Sequence, residues 1–378
     1  MADAGAGAEP AGGDGTRFQG VNGLRAAAAF TVLAFHVGFV APPPGLGASL
    51  SFHFQYGVSL FFVISGFLLF RPFARALWSG GKVDLVRYLQ SRALRILPLY
   101  LVAVVVILLL DGSRRHLGLV LRSLTFTGVY SGARVTEVVQ PVAWSLDDEM
   151  VFYLFLPLLF LVLLWLVKPA RRFRAAAVAI VILAAASLAF RAYLVSVLHL
   201  DQLSPEPEVL MRIFPAKLEL FALGMILAML QVRKLQRVTS PQAYGLLGVG
   251  ALSLVAGVVA LYHLGAFADF LMGTGFALLL TAVVLSPPAT PLSAVLASRP
   301  LWFLGEISYG VYLWHFPVIR QLALFHLVGS NYLLALAEVA LVTIAIASAT
   351  YVIVERPFLM RKRLWLRGAS RDTVAAKG

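Results

Sequence analysis

Long apolar blocks separated by short polar or basic loops run through the chain from about residue 21 to residue 356. They lack the short amphipathic period of helices that cover a soluble core. Each is close to the length of a membrane-crossing helix, which needs roughly 20 apolar residues. Ten spans are predicted, at 21–41, 57–77, 94–111, 149–168, 173–198, 212–232, 243–263, 267–286, 301–322 and 331–354. The stretch "RRHLGLVLRSLTFTGVY" (114–130) is too short and too polar to cross and is predicted to be interfacial or re-entrant. The expected fold class is therefore all-α, a polytopic integral membrane helical bundle of about ten transmembrane helices. Residues 1–20 are rich in Ala and Gly with little to bury, and are expected to form a disordered cytoplasmic tail. Residues 21–356 form the expected transmembrane domain. Residues 357–378 form a basic cytoplasmic tail in which Phe358, Leu359, Trp365 and Leu366 alternate with bases, a composition suited to the inner leaflet.

Composition agrees with this pattern. The chain is 60% hydrophobic and 13% charged, roughly half the charged fraction of a soluble domain. No hydrophilic block is long enough for a separate soluble domain. The formal charge of +13 would suggest nucleic acid in a soluble protein. Here the bases gather on alternate loops, which sets topology instead. One set is Arg17 and Arg25; the next is Arg71, Arg75, Lys82, Arg87, Arg92 and Arg95. Lys168, Arg171, Arg172 and Arg174 follow, then Arg233, Lys234 and Arg237, then Arg299 and the tail. With an even number of spans this bias places both termini in the cytoplasm, in a multi-pass protein of the cell inner (plasma) membrane. The N-terminus lacks the basic region of a signal peptide, so the first span is expected to stay uncleaved. There are no cysteines, which excludes disulfides, thiol nucleophiles and acyl-cysteine intermediates. Arginine outnumbers lysine and alanine is abundant, which hints at a GC-rich bacterial genome.

Some charges are not explained by topology, and ionisable groups within spans usually face a cavity. The first span, "GLRAAAAFTVLAFHVG", carries Arg25 and His36 eleven positions apart. At about 100° and 1.5 Å per residue they share one helix face, about 16 Å apart. The alternative for His36 is a packed, hydrogen-bonded histidine. Arg92 and Arg95 are i,i+3 neighbours at the start of the third span. They are either positive-inside anchors or a paired anion clamp, since guanidinium suits phosphate oxygens. "PVAWSLDDEMVFYLFLP" brings Asp147, Asp148 and Glu149 to the start of the fourth span. Ser145 is placed to cap that helix, with the first two acids near its positive end, which leaves Glu149 to point into the bundle. In the ninth span, "GEISYGVYLWHFPVIR" sets Trp314 and His315 in the outer half, and an aromatic belt would account for Tyr312 and Trp314. Arg191, Lys217, Glu219, Arg320 and Glu338 also map to outer halves, giving a basic groove facing in and a mixed-charge cavity facing out. The seven histidines show no metal-binding spacing, so no metal is expected.

Taken together, "GLRAAAAFTVLAFH", "GVSLFFVISGFLLFRPF", "RALRILPLY", "WSLDDEMVFYLFLP", "LGEISYGVYLWHFP" and a final "ERPF" resemble the membrane-bound acyltransferase 3 family. The resemblance runs from about Gly20 to Phe358, with six motifs in the family's order. Members O-acylate carbohydrates, macrolides and other acceptors. The resemblance implies that Arg25 and His36 are the family's Arg-x10-His pair and that Arg92 and Arg95 are its Arg-x-x-Arg motif. Trp144, Ser145, Leu146 and Glu149 match its Trp-Ser-Leu-x-x-Glu. Ser308, Tyr309, Tyr312, Leu313, Trp314 and His315 match its aromatic block. "SLDDEM" departs from relatives that carry a small residue before the acid. Some relatives carry a soluble esterase-like domain after the spans, which is not expected here.

The implied reaction takes acyl-CoA, with acetyl as the expected group, as a co-substrate from the cytoplasm; no permanently bound cofactor is expected. Arg25, Arg92 and Arg95 are expected to hold its phosphates. His36 is expected to act as general base or transient acyl carrier, its ordinary pKa suiting neutral pH. Glu149 is expected to orient His36, to stabilise its charged form, or to bind the acceptor. Trp144, Ser145, Tyr309, Trp314 and His315 are candidates for the acceptor or oxyanion site. The partners implied are a hydroxyl-bearing glycan, glycolipid or macrolide and the lipid bilayer, with no nucleic acid. The rival reading is a transporter or flippase, which would also bury charge along a path but shows no obvious inverted repeat here.

Overall fold

A computed structural model describes residues 14–111, 117–131, 139–200, 209–233, 238–263, 265–285 and 291–360 of the protein. Every extended element among them is helical. In chain order these are α1 (Asp14–Val37), α2 (Leu46–Phe52), α3 (Gly57–Ser79), α4 (Leu85–Asp111), α5 (Leu117–Leu124), α6 (Trp144–Leu166) and α7 (Arg172–Ser196). Then come α8 (Phe214–Val232), α9 (Ser240–His263), α10 (Gly265–Leu285), α11 (Pro291–Leu296), α12 (Arg299–Glu306), α13 (Ser308–Leu324) and α14 (Tyr332–Thr350). A π-helical turn, Tyr351–Glu355, continues α14. Nine of the described helical segments are long and apolar enough to cross a membrane. The chain is an all-α, multi-pass membrane bundle, as its hydropathy pattern requires.

The count of nine differs by one from the expected ten. The segment expected at 301–322 is broken at Ile307 into α12 and α13. Just before the break, Gly305 lets α12 approach α1 closely: a Cβ there would lie 2.1 Å from the Asn22 carbonyl oxygen. The Ser308 hydroxyl then donates to the Gly305 carbonyl, 2.8 Å away. Other boundaries also move. α1 begins at Asp14, inside the stretch expected to be a disordered tail, while residues 1–13 lie outside the described ones. The basic tail beyond Met360 also lies outside them. α4 begins at Leu85 rather than 94, so Arg87, Arg92 and Arg95 are all helical. Within 114–130, α5 is a short helix held to α4, where the Tyr100 hydroxyl donates to the Ser123 carbonyl at 2.8 Å.

In a bilayer, close helix contact depends on small residues. α1 occupies the middle of the bundle and packs against α3, α10, α12, α13 and α14. Its Ala26, Ala28 and Ala29 are fully buried, which lets these neighbours approach closely. α3 and α8 approach most tightly at Gly66 and Gly224. A Cβ at Gly66 would meet the Phe221 carbonyl oxygen at 2.1 Å, and one at Gly224 would meet that of Val63 at 2.0 Å. Phe62, Phe152 and Phe221 stack beside this contact.

A second tie joins α7, α8 and α10. Arg191 donates to Glu219 and to the Ala216 carbonyl, and its other nitrogen lies 2.9 Å from Asp269. Lys217 also binds Asp269, and Ser187 binds Glu219. Two acids balance two bases in a closed network. The expected outward-facing cavity of Arg191, Lys217 and Glu219 is therefore an internal cross-link. A lone charge is costly among apolar helices, and the fold meets that cost by pairing. Glu338 instead accepts from the Gly329 backbone N–H at 3.0 Å.

The α3–α8 contact generates a prediction. Gly224→Ala inserts a methyl group against the Val63 backbone, and overpacking of this kind costs about 1–3 kcal/mol. A lower thermal-unfolding midpoint in detergent is expected, with an unchanged midpoint showing that the helices separate freely.

Candidate active site

The far end of α1 carries a histidine pair. His36 Nδ1 lies 2.9 Å from the Val32 carbonyl oxygen and 3.2 Å from His315 Nε2. His315 Nδ1 lies 3.2 Å from the Val311 carbonyl oxygen. A carbonyl only accepts, so in the neutral pair each ring carries its proton on Nδ1. His315 Nε2 is then a bare acceptor, and the His36 Nδ1–H is shared between it and Val32. The consequence is specific: among the described residues, the lone pair of His36 Nε2 is left free. Its ring is half-buried, whereas His315 is completely buried. Phe35, Phe39 and Phe316 stand edge-on around His36.

Beside the pair stand Tyr312, Ser145 and Trp144. The Tyr312 ring lies 5.8 Å from that of His315. Its hydroxyl donates to the Val142 carbonyl at 2.8 Å and meets Ser145 Oγ at 2.6 Å. Ser145 therefore ties α6 to α13 instead of capping α6, which starts at Trp144 without a side-chain cap. Asp147 and Asp148 are also not helix-end charges alone. Asp147 accepts from the Val129 backbone N–H, and Asp148 accepts from the Tyr130 hydroxyl, both at 2.9 Å. The Tyr130 hydroxyl in turn accepts from the Phe214 N–H at 3.3 Å, fixing the segment that leads into α8. In that segment, the Arg212 guanidinium lies 5.4 Å above the Trp144 ring.

The near end of α1 carries a different set. Arg25 is half-buried and within electrostatic reach of Arg95, Glu306, Glu149 and Glu355. The break between α12 and α13 turns Glu306 inward, where it accepts from Asn22 Nδ2 at 2.9 Å and from the Tyr351 hydroxyl at 3.3 Å. Arg95 Nη1 lies 3.3 Å from Glu355, which the π-helical turn presents. π-helical turns often mark functional sites because they re-aim side chains. Arg92 is bonded only to the neighbouring Ser91 hydroxyl, at 3.3 Å, among the described residues.

The sequence expectations divide accordingly. Arg25, Arg92 and Arg95 do gather at one end, and His36 and His315 at the other. Glu149 belongs to the arginine end: Ser65 donates to it at 2.8 Å and Tyr153 is bonded to it. Among the described residues it makes no hydrogen bond to His36, whose Nδ1 meets His315 instead. Tyr309 donates to the Ile96 carbonyl at 3.0 Å and Trp314 to Thr350 at 3.1 Å, so neither faces the histidine pair as a free donor. Sequence reasoning missed Arg212, Glu306, Glu355 and Ser65 as site residues. The last three lie within quoted motifs, and for Glu306 and Glu355 an acid beside an apolar block was the available signal. Arg212 opens the span expected at 212–232, where no motif singled it out.

Fold and site thus define a multi-pass membrane protein with a histidine pair and an arginine cluster at opposite ends of one central helix face. The chain belongs to the acyltransferase 3 family, whose sequence model, described as an acyltransferase domain, matches residues 18–354. Similar proteins include YrhL of Bacillus subtilis, described as a candidate peptidoglycan O-acetyltransferase. It is 27% identical over 361 residues, covering 89% of this chain and 54% of that protein. The peptidoglycan O-acetyltransferase OatA of Listeria monocytogenes is 24% identical over 362 residues, covering 89% of this chain and 55% of OatA. The chain spans just over half the length of these relatives. No solved structure matches it.

Proposed function

We propose that the protein is a membrane-bound O-acyltransferase that moves an acyl group, with acetyl the expected one, from acyl-CoA to a hydroxyl of a glycan acceptor. The observation that carries this reading is the free Nε2 of His36, aligned by His315 and set on the same face of α1 as Arg25. Family membership supports acyl transfer, and the peptidoglycan relatives favour a glycan over a macrolide.

In this reading the arginine end faces the cytoplasm, as the distribution of basic loops favours. Arg25 and Arg92, neither hydrogen-bonded to an acid among the described residues, bind the phosphates of the donor. Arg95 joins them by exchanging Glu355 for phosphate. Glu149, held by Ser65 and Tyr153, sets the position of Arg25. The pantetheine arm runs along the face of α1, covering the roughly 16 Å rise between Arg25 and His36. The thioester then lies beside the histidine pair. His36 Nε2 takes the proton of the acceptor hydroxyl as its oxygen attacks the thioester carbonyl. The resulting imidazolium keeps its Nδ1–H on His315, which needs no proton movement. Collapse of the tetrahedral adduct expels the coenzyme A thiolate, and His36 returns the proton to that sulfur. His315 acts here as a positioning residue.

Two predictions follow from this division. His36→Ala should abolish coenzyme A release and acyl transfer by folded, inserted protein, whereas His315→Ala should lower kcat by less than the about 10²–10⁴-fold that positioned proton transfer is worth. Near-normal turnover of the His36 variant would remove the base assignment. Arg25→Ala and Arg92→Ala should each weaken acetyl-CoA binding in a calorimetric titration while leaving the histidine geometry intact; unchanged affinity in both would discard the phosphate clamp.

A further inference from the structure

Acyl transfer passes through a tetrahedral adduct whose former carbonyl oxygen becomes an alkoxide. That charge requires fixed donors, and this kind of stabilisation is often the largest single contribution to catalysis. The hydrogen bonds around the histidine pair show which groups are free to give one. Tyr312 donates to the Val142 carbonyl, and the Ser145 hydroxyl is held within the same cluster. Gln140 Nε2 donates to the Leu313 carbonyl at 2.8 Å. His315 uses its N–H on Val311. Each of these donors is committed.

Arg212 is not. Its guanidinium makes no hydrogen bond and no ion pair with any described residue. It is half-buried and acts electrostatically on both His36 and Tyr312. Its plane is set by the Trp144 ring beneath it, an arrangement in which cation–π attraction fixes a guanidinium without occupying its N–H edge. Its backbone is fixed as well, since the Asp148–Tyr130–Phe214 chain anchors the residues that follow it. A cation that were only structural would be expected to have a carboxylate partner, as Arg191 and Lys217 do.

We propose that Arg212 is the oxyanion-binding residue, its free N–H edge donating to the thioester oxygen as the acceptor attacks beside His36. This inference rests on the acyl-transfer reading above. It adds a cation that assists only once negative charge develops, and it gives Trp144 the task of aiming that cation.

The test uses the full chain in lipid nanodiscs, with acetyl-CoA as donor and either water or a soluble peptidoglycan fragment as acceptor. Arg212→Met should lower kcat for coenzyme A release about 10²–10³-fold, with the KM for acetyl-CoA and for the fragment largely unchanged. Added guanidinium should restore part of that rate and should restore none to His36→Ala. Arg212→Lys, which keeps the cation and tests the proposal if the Met variant folds poorly, should retain intermediate activity. A loss appearing only in the fragment's KM would overturn the proposal in favour of charge recognition of the acceptor. A lowered unfolding midpoint with normal kcat would overturn it in favour of a structural stack. If the parent protein releases no coenzyme A, or His36→Ala is active, the acyl-transfer reading itself falls and the Arg212 role with it. An inactive His36→Ala beside a fully active Arg212→Met would remove the Arg212 role alone.

Discussion

An ionised side chain inside a bilayer must be paired or put to use, because apolar helices offer it no solvation. That constraint sorts the charged residues of this protein. Arg191, Lys217, Glu219 and Asp269 are paired into a closed four-charge cluster that joins α7, α8 and α10. Arg95 is paired with Glu355 across α4 and the π-helical turn after α14. Arg25, Arg92 and Arg212 have no carboxylate in hydrogen-bonding contact among the described residues. The paired charges build the scaffold. The open ones lie at the two ends of α1, where the proposed reaction needs positive charge for donor phosphates and for an oxyanion.

The scaffold allows this because α1, packed against α3, α10, α12, α13 and α14, is also the helix that carries the chemistry. Its alanines bring neighbours close, and Gly305 and Gly57 admit α12 and α3 almost to its backbone. Such contact leaves α1 little freedom to tilt or rotate. The face bearing Arg25 and His36 is therefore fixed relative to α13, and His315 meets His36 at hydrogen-bond distance. The histidine tautomer is set by ordinary helix geometry, because each ring reaches the carbonyl four residues back on its own helix. Two backbone acceptors thereby leave His36 Nε2 unprotonated and open.

Much of the molecule was legible in the chain. Long apolar blocks gave the bundle and most span positions. Spacing alone put Arg25 and His36 on one face. Reading failed where a local pattern had two physical outcomes. Ser145 followed by Asp148 looked like a helix cap, but the aspartates hold the Val129–Tyr130 loop and the serine holds Tyr312. Glu149 looked like a partner for His36 because it was the acid left over in its motif. Its depth on α6 instead brings it to Ser65 and to the level of Arg25. Residues 301–322 read as one continuous span, since nothing in apolar content reveals that Asn22 crowds Gly305.

What the sequence determined by itself was a multi-pass helical membrane protein with an arginine and a histidine on one helix face. Hydropathy and the 3.6-residue turn depend only on the order of residues. The tertiary structure decided which charges neutralise one another and which stay open. It set His315 against His36 and Glu149 within reach of Arg25, and among the described residues it left Arg212 over Trp144 without an acid. Those pairings depend on the depth and rotation of each helix against its neighbours, and these are set by close contacts between residues far apart in the chain.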